Sequence, residues 1–232
     1  MRIGGLLKNS WIDFPGRVAC VVFTPGCNFA CPYCHNPDLV TCPGPDNAPR
    51  EADVFTFLEK RKNLLDGVVI SGGEPTLRKG LESFCIKLKT MGFQVKLDTN
   101  GTCPQIIESL LDKSLVDYVA MDVKSSPGEY SRVAGRDVDL SAIFRSIDLI
   151  MGRAPSYEFR TTCVRPFVDA GIMAGIGEMI RGARLYILQG CSCKGLLLDP
   201  EFFDKGSVVL TPLEILALKD VADRYVETCT VR

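Results

Sequence analysis

The chain carries almost no surplus charge. Its 28 acidic and 27 basic residues nearly cancel, which leaves no electrostatic footprint for nucleic acid and no polybasic patch for a membrane surface. No apolar run approaches the ~20 residues that a spanning helix needs. The opening Met1-Arg2-Ile3-Gly4-Gly5-Leu6-Leu7-Lys8 loses its apolar character almost at once, so no secretory leader is expected. Histidine is nearly absent, with His35 alone, and there is no low-complexity tract, no linker and no repeat beyond a strand–helix unit. With 232 residues, 46% of them hydrophobic, what remains is one domain over 1–232 with one sizeable core.

Cysteine, by contrast, is abundant. Eleven thiols without a leader argue for a reducing cytoplasm, where free thiols persist and an oxygen-sensitive metal group survives. The odd count fits metal binding better than complete pairing. Cys27, Cys31 and Cys34 fall within eight residues of the stretch Gly26 to Asn36. Closed zinc and iron–sulfur sites want four ligands, whereas Cys-x3-Cys-x2-Cys gives a cubane cluster three thiolates and leaves one iron open for chemistry. Two alternatives stand beside this. His35 would close the site, although the neighbour of a ligand more often takes an outer hydrogen-bonding role, and a zinc knuckle would need a distant fourth thiol such as Cys42.

Along the chain, short apolar runs alternate with amphipathic ones. Ile3 to Leu7 reads as an opening strand, and Pro15-Gly16 as a turn into the β-branched run Val18 to Phe23, the pattern of a strand buried on both faces. Further strands are expected at 67–71, 93–99, 117–123, 157–164 and 185–189. Helices are expected at 51–63, 83–91, 105–112, 140–151 and 175–181. Strand–helix–strand order implies parallel pairing with right-handed crossovers, and six such units are too few for the eight-stranded barrel of about 250 residues. The expected fold is an α/β incomplete (β/α)6 TIM-type barrel, with core strands over about 17–189 and a loop and helix over 190–232. In that last helix Thr211 is the N-cap, Pro212 opens the first turn and Glu214 completes a capping box. Gly190 to Lys205 reads as loop.

Polar clusters mark the C-terminal ends of these strands, the rim where a parallel barrel gathers its working groups. They are the cysteine loop, Gly72-Gly73-Glu74, Asp98-Thr99-Asn100, Asp122-Val123-Lys124 and, within the fifth strand, Arg160; Gln189 is a further candidate. Gly72-Gly73 lets backbone approach a ligand closely, and Glu74 can accept from an ammonium group. The plainer reading is a βα turn before Pro75. Asp98 and Asn100 also suit an Asx turn at Gly101. Asp122 and Lys124 alternate on one strand, so both can face the interior, where an unpaired Lys is costly and a ligand carboxylate would satisfy it. The plainer reading of Arg160 is a rim salt bridge. Cys20, Cys85 and Cys163 read as small hydrophobes, and Trp11 and Phe14 as packing residues; Cys191 and Cys193 near the rim offer a redox or metal pair as an alternative to the same plain reading, since two thiols alone do not specify a second cluster.

The Cys-x3-Cys-x-aromatic-Cys motif, with Tyr33 as the aromatic, resembles the signature of the radical S-adenosylmethionine (radical SAM) enzymes. Thr24 to Asn28, Tyr33-Cys34-His35-Asn36-Pro37 and Asp13-Phe14-Pro15-Gly16-Arg17 are similar to the activating enzymes of glycyl radical enzymes, most of all to activators of anaerobic ribonucleoside-triphosphate reductase. The resemblance implies a 4Fe-4S cluster on Cys27, Cys31 and Cys34 and reductive cleavage of S-adenosylmethionine to methionine and a 5′-deoxyadenosyl radical. That radical would take a hydrogen atom from a glycine of the partner reductase, with flavodoxin or ferredoxin as electron donor. The resemblance places the methionyl amino group at Gly72, Gly73 and Glu74 and adenine near the Tyr33 backbone. It also carries cofactor holding and a monovalent cation over to Asp98, Thr99, Asn100, Asp122 and Lys124, and a cofactor carboxylate or ribose to Arg160. One cysteine between Cys34 and Ser71 means no ferredoxin-like insert, and a lateral opening in a six-stranded barrel suits a protein substrate. The competing readings are another glycyl radical enzyme as partner, a small-molecule substrate as in deazapurine-forming relatives, and a metal-binding module without catalysis.

Overall fold

The structure, a computed structural model, describes residues 1–40, 46–192, 197–204 and 208–232. Cys42 and Cys193, named above as a zinc ligand and a redox partner, lie outside the described residues. Among the described residues eight strands form one sheet: β1 (Gly5–Ser10), β2 (Ala19–Thr24), β3 (Gly67–Gly72), β4 (Gln94–Thr99), β5 (Tyr118–Asp122), β6 (Tyr157–Cys163), β7 (Tyr186–Gly190) and β8 (Cys229–Val231). Their spatial order is their chain order. Only β1 runs antiparallel to its neighbour; from β2 onward every pair is parallel. Six βα units run from β2 to β7 as expected, and each edge carries one additional strand. β8 was not foreseen in the segment read as loop and helix, because three residues carry too little periodicity to mark a strand.

The helices are α1 (Glu51–Arg61), α2 (Leu81–Thr90), α3 (Pro104–Asp112), α4 (Tyr130–Ala134), α5 (Leu140–Arg153), α6 (Ala170–Met179), α7 (Pro200–Asp204) and α8 (Pro212–Ala222). None of those described is long and apolar enough to cross a membrane. α6 starts five residues earlier than its apolar spacing suggested, because the Asp169 carboxylate accepts the Ile172 N–H at 2.7 Å and so caps the helix there. α7 lies within the stretch read as loop. In α8 the capping box is present: Thr211 Oγ1 accepts the Glu214 N–H, and Glu214 accepts the Thr211 N–H at 2.8 Å.

Side-chain alternation along the strands separates two cores. Cys20 and Val22, Val68 and Ile70, Val95 and Leu97, and Val119 and Met121 pack outward with the helices. The opposite face gives a smaller cluster in which Phe14, Ala19, Val21, Val69, Tyr118 and Ala120 meet. There Phe14 stands edge-on to Tyr118, with ring centroids 5.9 Å apart. Phe14 therefore packs as expected. Trp11 does not; it is 76% exposed at the turn after β1. Above the aromatic plug the same inner face carries Lys96, Asp98, Asp122, Glu158 and Arg160, a charged layer inside the sheet's curve.

Candidate active site

The cysteine loop leaves the C-terminal end of β2 and is tied down largely by backbone. Gly26 N–H bonds Leu39 O at 2.7 Å, Cys27 N–H bonds Val40 O at 3.0 Å, and Ala30 N–H bonds Ala134 O at the end of α4 at 2.7 Å. From the far end of the chain, Leu198 N–H donates to Cys34 O and Asp199 N–H to Pro32 O, both at 3.1 Å. The loop encloses one side of a cavity of about 260 Å³. Cys27, Cys31, Tyr33 and Cys34 line it, and so do Gly72, Gly73, Glu74, Asp98, Thr99, Asn100, Asp122, Lys124 and Arg160. Five separate segments thus converge on one void at the strand ends. His35, Ser71, Thr162 and Gln189 line it too.

The Gly-Gly-Glu turn lines the cavity and also packs against the chain itself. A Cβ on Gly73 would stand 2.2 Å from Gly26 O, and one on Gly72, whose φ is +117°, would stand 2.3 Å from Thr24 N. The close backbone approach is therefore to the chain's own cysteine loop, sealed by Gly73 N–H to Thr24 O at 2.8 Å and Glu74 N–H to Gly26 O at 2.9 Å. Glu74 is fully buried and knots three segments together. Its Oε1 accepts from Thr76 N at 3.0 Å, Thr76 Oγ1 at 2.5 Å and Thr99 Oγ1 at 2.8 Å, while Oε2, among the described residues, accepts from Asn100 N alone, at 2.6 Å. A carboxylate offers about four lone-pair directions, so acceptor capacity remains on Oε2 alone. Burial pushes the Glu74 carboxyl up, against the pull of these hydrogen bonds.

Beneath the turn lies the charged layer. Asp122 accepts Lys124 Nζ on Oδ2 and Arg160 Nε on Oδ1, each at 2.8 Å. Lys124 is thus not the unpaired lysine that the sequence suggested; its counter-charge sits two residues away on the same strand face. Arg160 also reaches Asp98 Oδ2 at 3.3 Å and Glu158 Oε1 at 3.9 Å, an interior bridge rather than a rim one. Desolvation works against the charged forms of Asp98 and Asp122, yet Arg160 together with Lys96 and Lys124 holds both carboxyls below their ordinary range. Lys124 and Arg160 are raised in turn by the carboxylates they face.

The donor set can be tested against the groups that the motif implies. Among the described residues no three Cys, His, Asp or Glu side chains are gathered closely enough for a single metal ion. The three loop thiols nonetheless share one cavity, an arrangement that suits a cluster larger than an ion. Burial pushes the Cys27 thiol up to about 11 and raises Cys31 as well, so iron must displace protons to bind them. The Tyr33 hydroxyl is buried without a hydrogen-bond partner, and Glu74 Oε2 keeps acceptor capacity; both are what a polar ligand in the cavity would satisfy. The residues present fit the cluster and its nucleotide.

Sequence reasoning missed Asn28, which accepts from Asn100 Nδ2 at 2.8 Å and donates to Thr102 Oγ1 at 2.9 Å, bolting the cysteine loop to the end of β4. It also missed Lys96, although a lysine two residues before Asp98 on one strand must share its face. Cys20, Cys85 and Cys163 are buried small hydrophobes as expected, with burial pushing each thiol up to about 12. Cys191 Sγ lies 4.0 Å from His35 Nε2 beside the loop.

Comparison with known proteins agrees with this geometry. A putative glycyl-radical enzyme activating enzyme of Methanocaldococcus jannaschii is 33% identical over 236 aligned residues, covering 99% of this chain and 95% of that protein. The pyruvate formate-lyase-activating enzyme of Listeria monocytogenes is 35% identical over 134 residues, and the chain spans only 53% of its length. Among solved structures, native anSMEcpe with bound AdoMet superposes with a TM-score of 0.58 at 16% identity, over 87% of this chain and 57% of that one. QueE from Escherichia coli gives 0.53 at 15% identity, over 99% and 92%. Those two likenesses concern the fold. Residues 21–171 match the model of the radical SAM superfamily, whose enzymes use a 4Fe-4S cluster and S-adenosylmethionine, and with the relative from Methanocaldococcus jannaschii this places the chain in that superfamily, among the homologues of glycyl-radical enzyme activating enzymes.

Proposed function

We propose that this chain is the activase of a glycyl radical enzyme, with anaerobic ribonucleoside-triphosphate reductase as the favoured partner. The observation that carries the reading is the convergence of all thirteen expected site residues on one cavity beside a three-thiol loop. Cys27, Cys31 and Cys34 would hold the 4Fe-4S cluster, leaving one iron to S-adenosylmethionine. The remaining acceptor capacity on Glu74 Oε2 suits the methionyl ammonium, and Arg160 and Lys124 suit its carboxylate. Tyr33 would border the adenine, and Asp98, Thr99, Asn100 and Asp122 would complete the wall. When bound, cluster and nucleotide supply one-electron reductive cleavage of the sulfonium and abstraction of a hydrogen atom; the chain orients them and excludes water and stray hydrogen donors.

Electrons would come from flavodoxin or ferredoxin, in an oxygen-poor cytoplasm. The sequence string around Cys34-His35-Asn36-Pro37 supports the ribonucleotide reductase as partner, as does the lack of further cysteines between Cys42 and Ser71. The test is anaerobic incubation of the reconstituted protein with the reductase, S-adenosylmethionine and a reductant. A glycyl doublet in the electron paramagnetic resonance spectrum of the reductase is expected. Cofactor cleavage without any doublet would overturn the choice of partner, and no cleavage by protein carrying full iron and sulfide would overturn the activity.

A further inference from the structure

Lys96 is the most deeply buried cation of the sheet interior, 1% exposed in the middle of β4. A lysine so placed is rare, because its ammonium gives up water and must be fully repaid by partners. Among the described residues it has one charged partner. Its Nζ lies 2.5 Å from Asp98 Oδ1 and 5.8 Å from the centre of the Tyr118 ring. Asp98 Oδ2 meanwhile accepts Ser71 Oγ at 3.2 Å and Arg160 at 3.3 Å. Asp98 lines the cavity and Lys96 does not; the ammonium stands behind the carboxylate, away from any ligand.

The charges explain what it is for. Three carboxylates face the cavity, on Glu74, Asp98 and Asp122, against two cations, on Lys124 and Arg160. Behind the wall Lys96 answers Asp98 at 2.5 Å, while Glu158 is shared between Arg160 at 3.9 Å and Arg232 at 3.5 Å. Without it Asp98 Oδ1 would lose its donor among the described residues, and Arg160 would have to serve Asp98 more fully at the expense of Asp122. We propose that Lys96 is a positioning residue, a covalently tethered counter-ion that fixes Asp98 and through it Arg160, so that the cavity binds S-adenosylmethionine without recruiting a dissociable cation. This rests on the proposed occupancy of the cavity by that nucleotide. A small cation that takes the place of the ammonium should then restore what its loss removes, an effect that a merely space-filling side chain cannot produce.

The experiment measures the affinity of anaerobically reconstituted, unreduced protein for S-adenosylmethionine by calorimetry, in choline, potassium and ammonium chloride at equal ionic strength. Wild-type affinity is expected to be the same in all three. Lys96→Met, close in volume and uncharged, is expected to bind at least about tenfold more weakly in choline and to recover most of that loss in potassium or ammonium. Equal binding by the variant in choline would overturn the proposal, and so would a weakened variant that neither small cation restores. Should the variant fail to fold, as its thermal unfolding would show, the wild type decides: a requirement for potassium overturns the proposal and indifference supports it. Wild-type protein with full iron and sulfide that binds no nucleotide in any salt would instead overturn the proposed function, and this assignment with it.

Discussion

Asp122 meets a cation on each oxygen, Lys124 and Arg160, so replacing it strands two charges at once. With 28% of its side-chain surface still exposed, Asp122→Asn is expected to cost about 2–4 kcal/mol, somewhat less than the loss of a partner in a dry pair. Chemical denaturation measures this. The same contacts set the pH dependence. The Asp98 and Asp122 carboxyls are lowered from an ordinary 3.8, so their stabilisation is present above that value and drains away as pH falls below it. Lys124 is raised from 10.5, so its share is present below that pH and lost only well above it. Glu74 opposes the acid loss in part, since its raised carboxyl favours the protonated form when folded. Stability should fall below pH 3.8, with a shallower acid limb in Asp122→Asn, and fall again above pH 9, where the unfolded chain ionises thiols that burial at Cys20, Cys85 and Cys163 keeps protonated in the fold.

Gly73 poses a sharper steric test. Its missing Cβ would overlap Gly26 O, a backbone atom that cannot swing aside as a side chain does. Gly73→Ala is expected to lower stability by about 1–3 kcal/mol and to displace the cysteine loop, which reduced iron content per chain after reconstitution would reveal.

At the scale of elements, α8 offers a clean test of local sequence logic. Thr211 and Glu214 cap each other's backbone at an exposed helix start, and Thr211→Ala should cost about 1 kcal/mol in thermal unfolding without altering the cavity. This cap was legible in advance because its whole signal lies within four residues. So were β2 to β7, whose β-branched runs alternate with amphipathic helices. The misses share a cause: α4, α7 and β8 have five, five and three residues, fewer than one full hydrophobic period needs to declare itself. The candidate site was legible as a set, because all its members but Arg160 stand at or just beyond a strand end. How its members pair was not. That Gly72 and Gly73 press on their own loop, and that Lys124 already has Asp122, depends on contacts between elements that no local pattern encodes. Lys96 was overlooked because a buried lysine inside a strand reads as a solvent-facing one until the curvature of the sheet encloses it.

For the molecule as a whole, the thiol loop and the cavity decide which metal the protein carries. Three thiolates around a shared void favour a cluster over a lone ion, so anaerobic reconstitution is expected to yield about four iron and four sulfide per chain even with zinc present. Replacing Cys27, Cys31 or Cys34 singly with alanine should abolish both the cluster absorbance and S-adenosylmethionine cleavage. Preferential retention of zinc in the competition would overturn the cluster assignment.

The stitching of Pro32 and Cys34 to Asp199 and Leu198 carries a consequence for biogenesis. A ribosome delivers the cysteines early and their last supports late. At ~5–20 residues per second the thiols wait roughly ten to thirty seconds before the segment that braces them is translated. The nascent loop is meanwhile an open set of soft ligands for any passing metal. Faithful iron loading therefore favours delivery to the finished chain, by a donor that arrives after translation has passed Asp199.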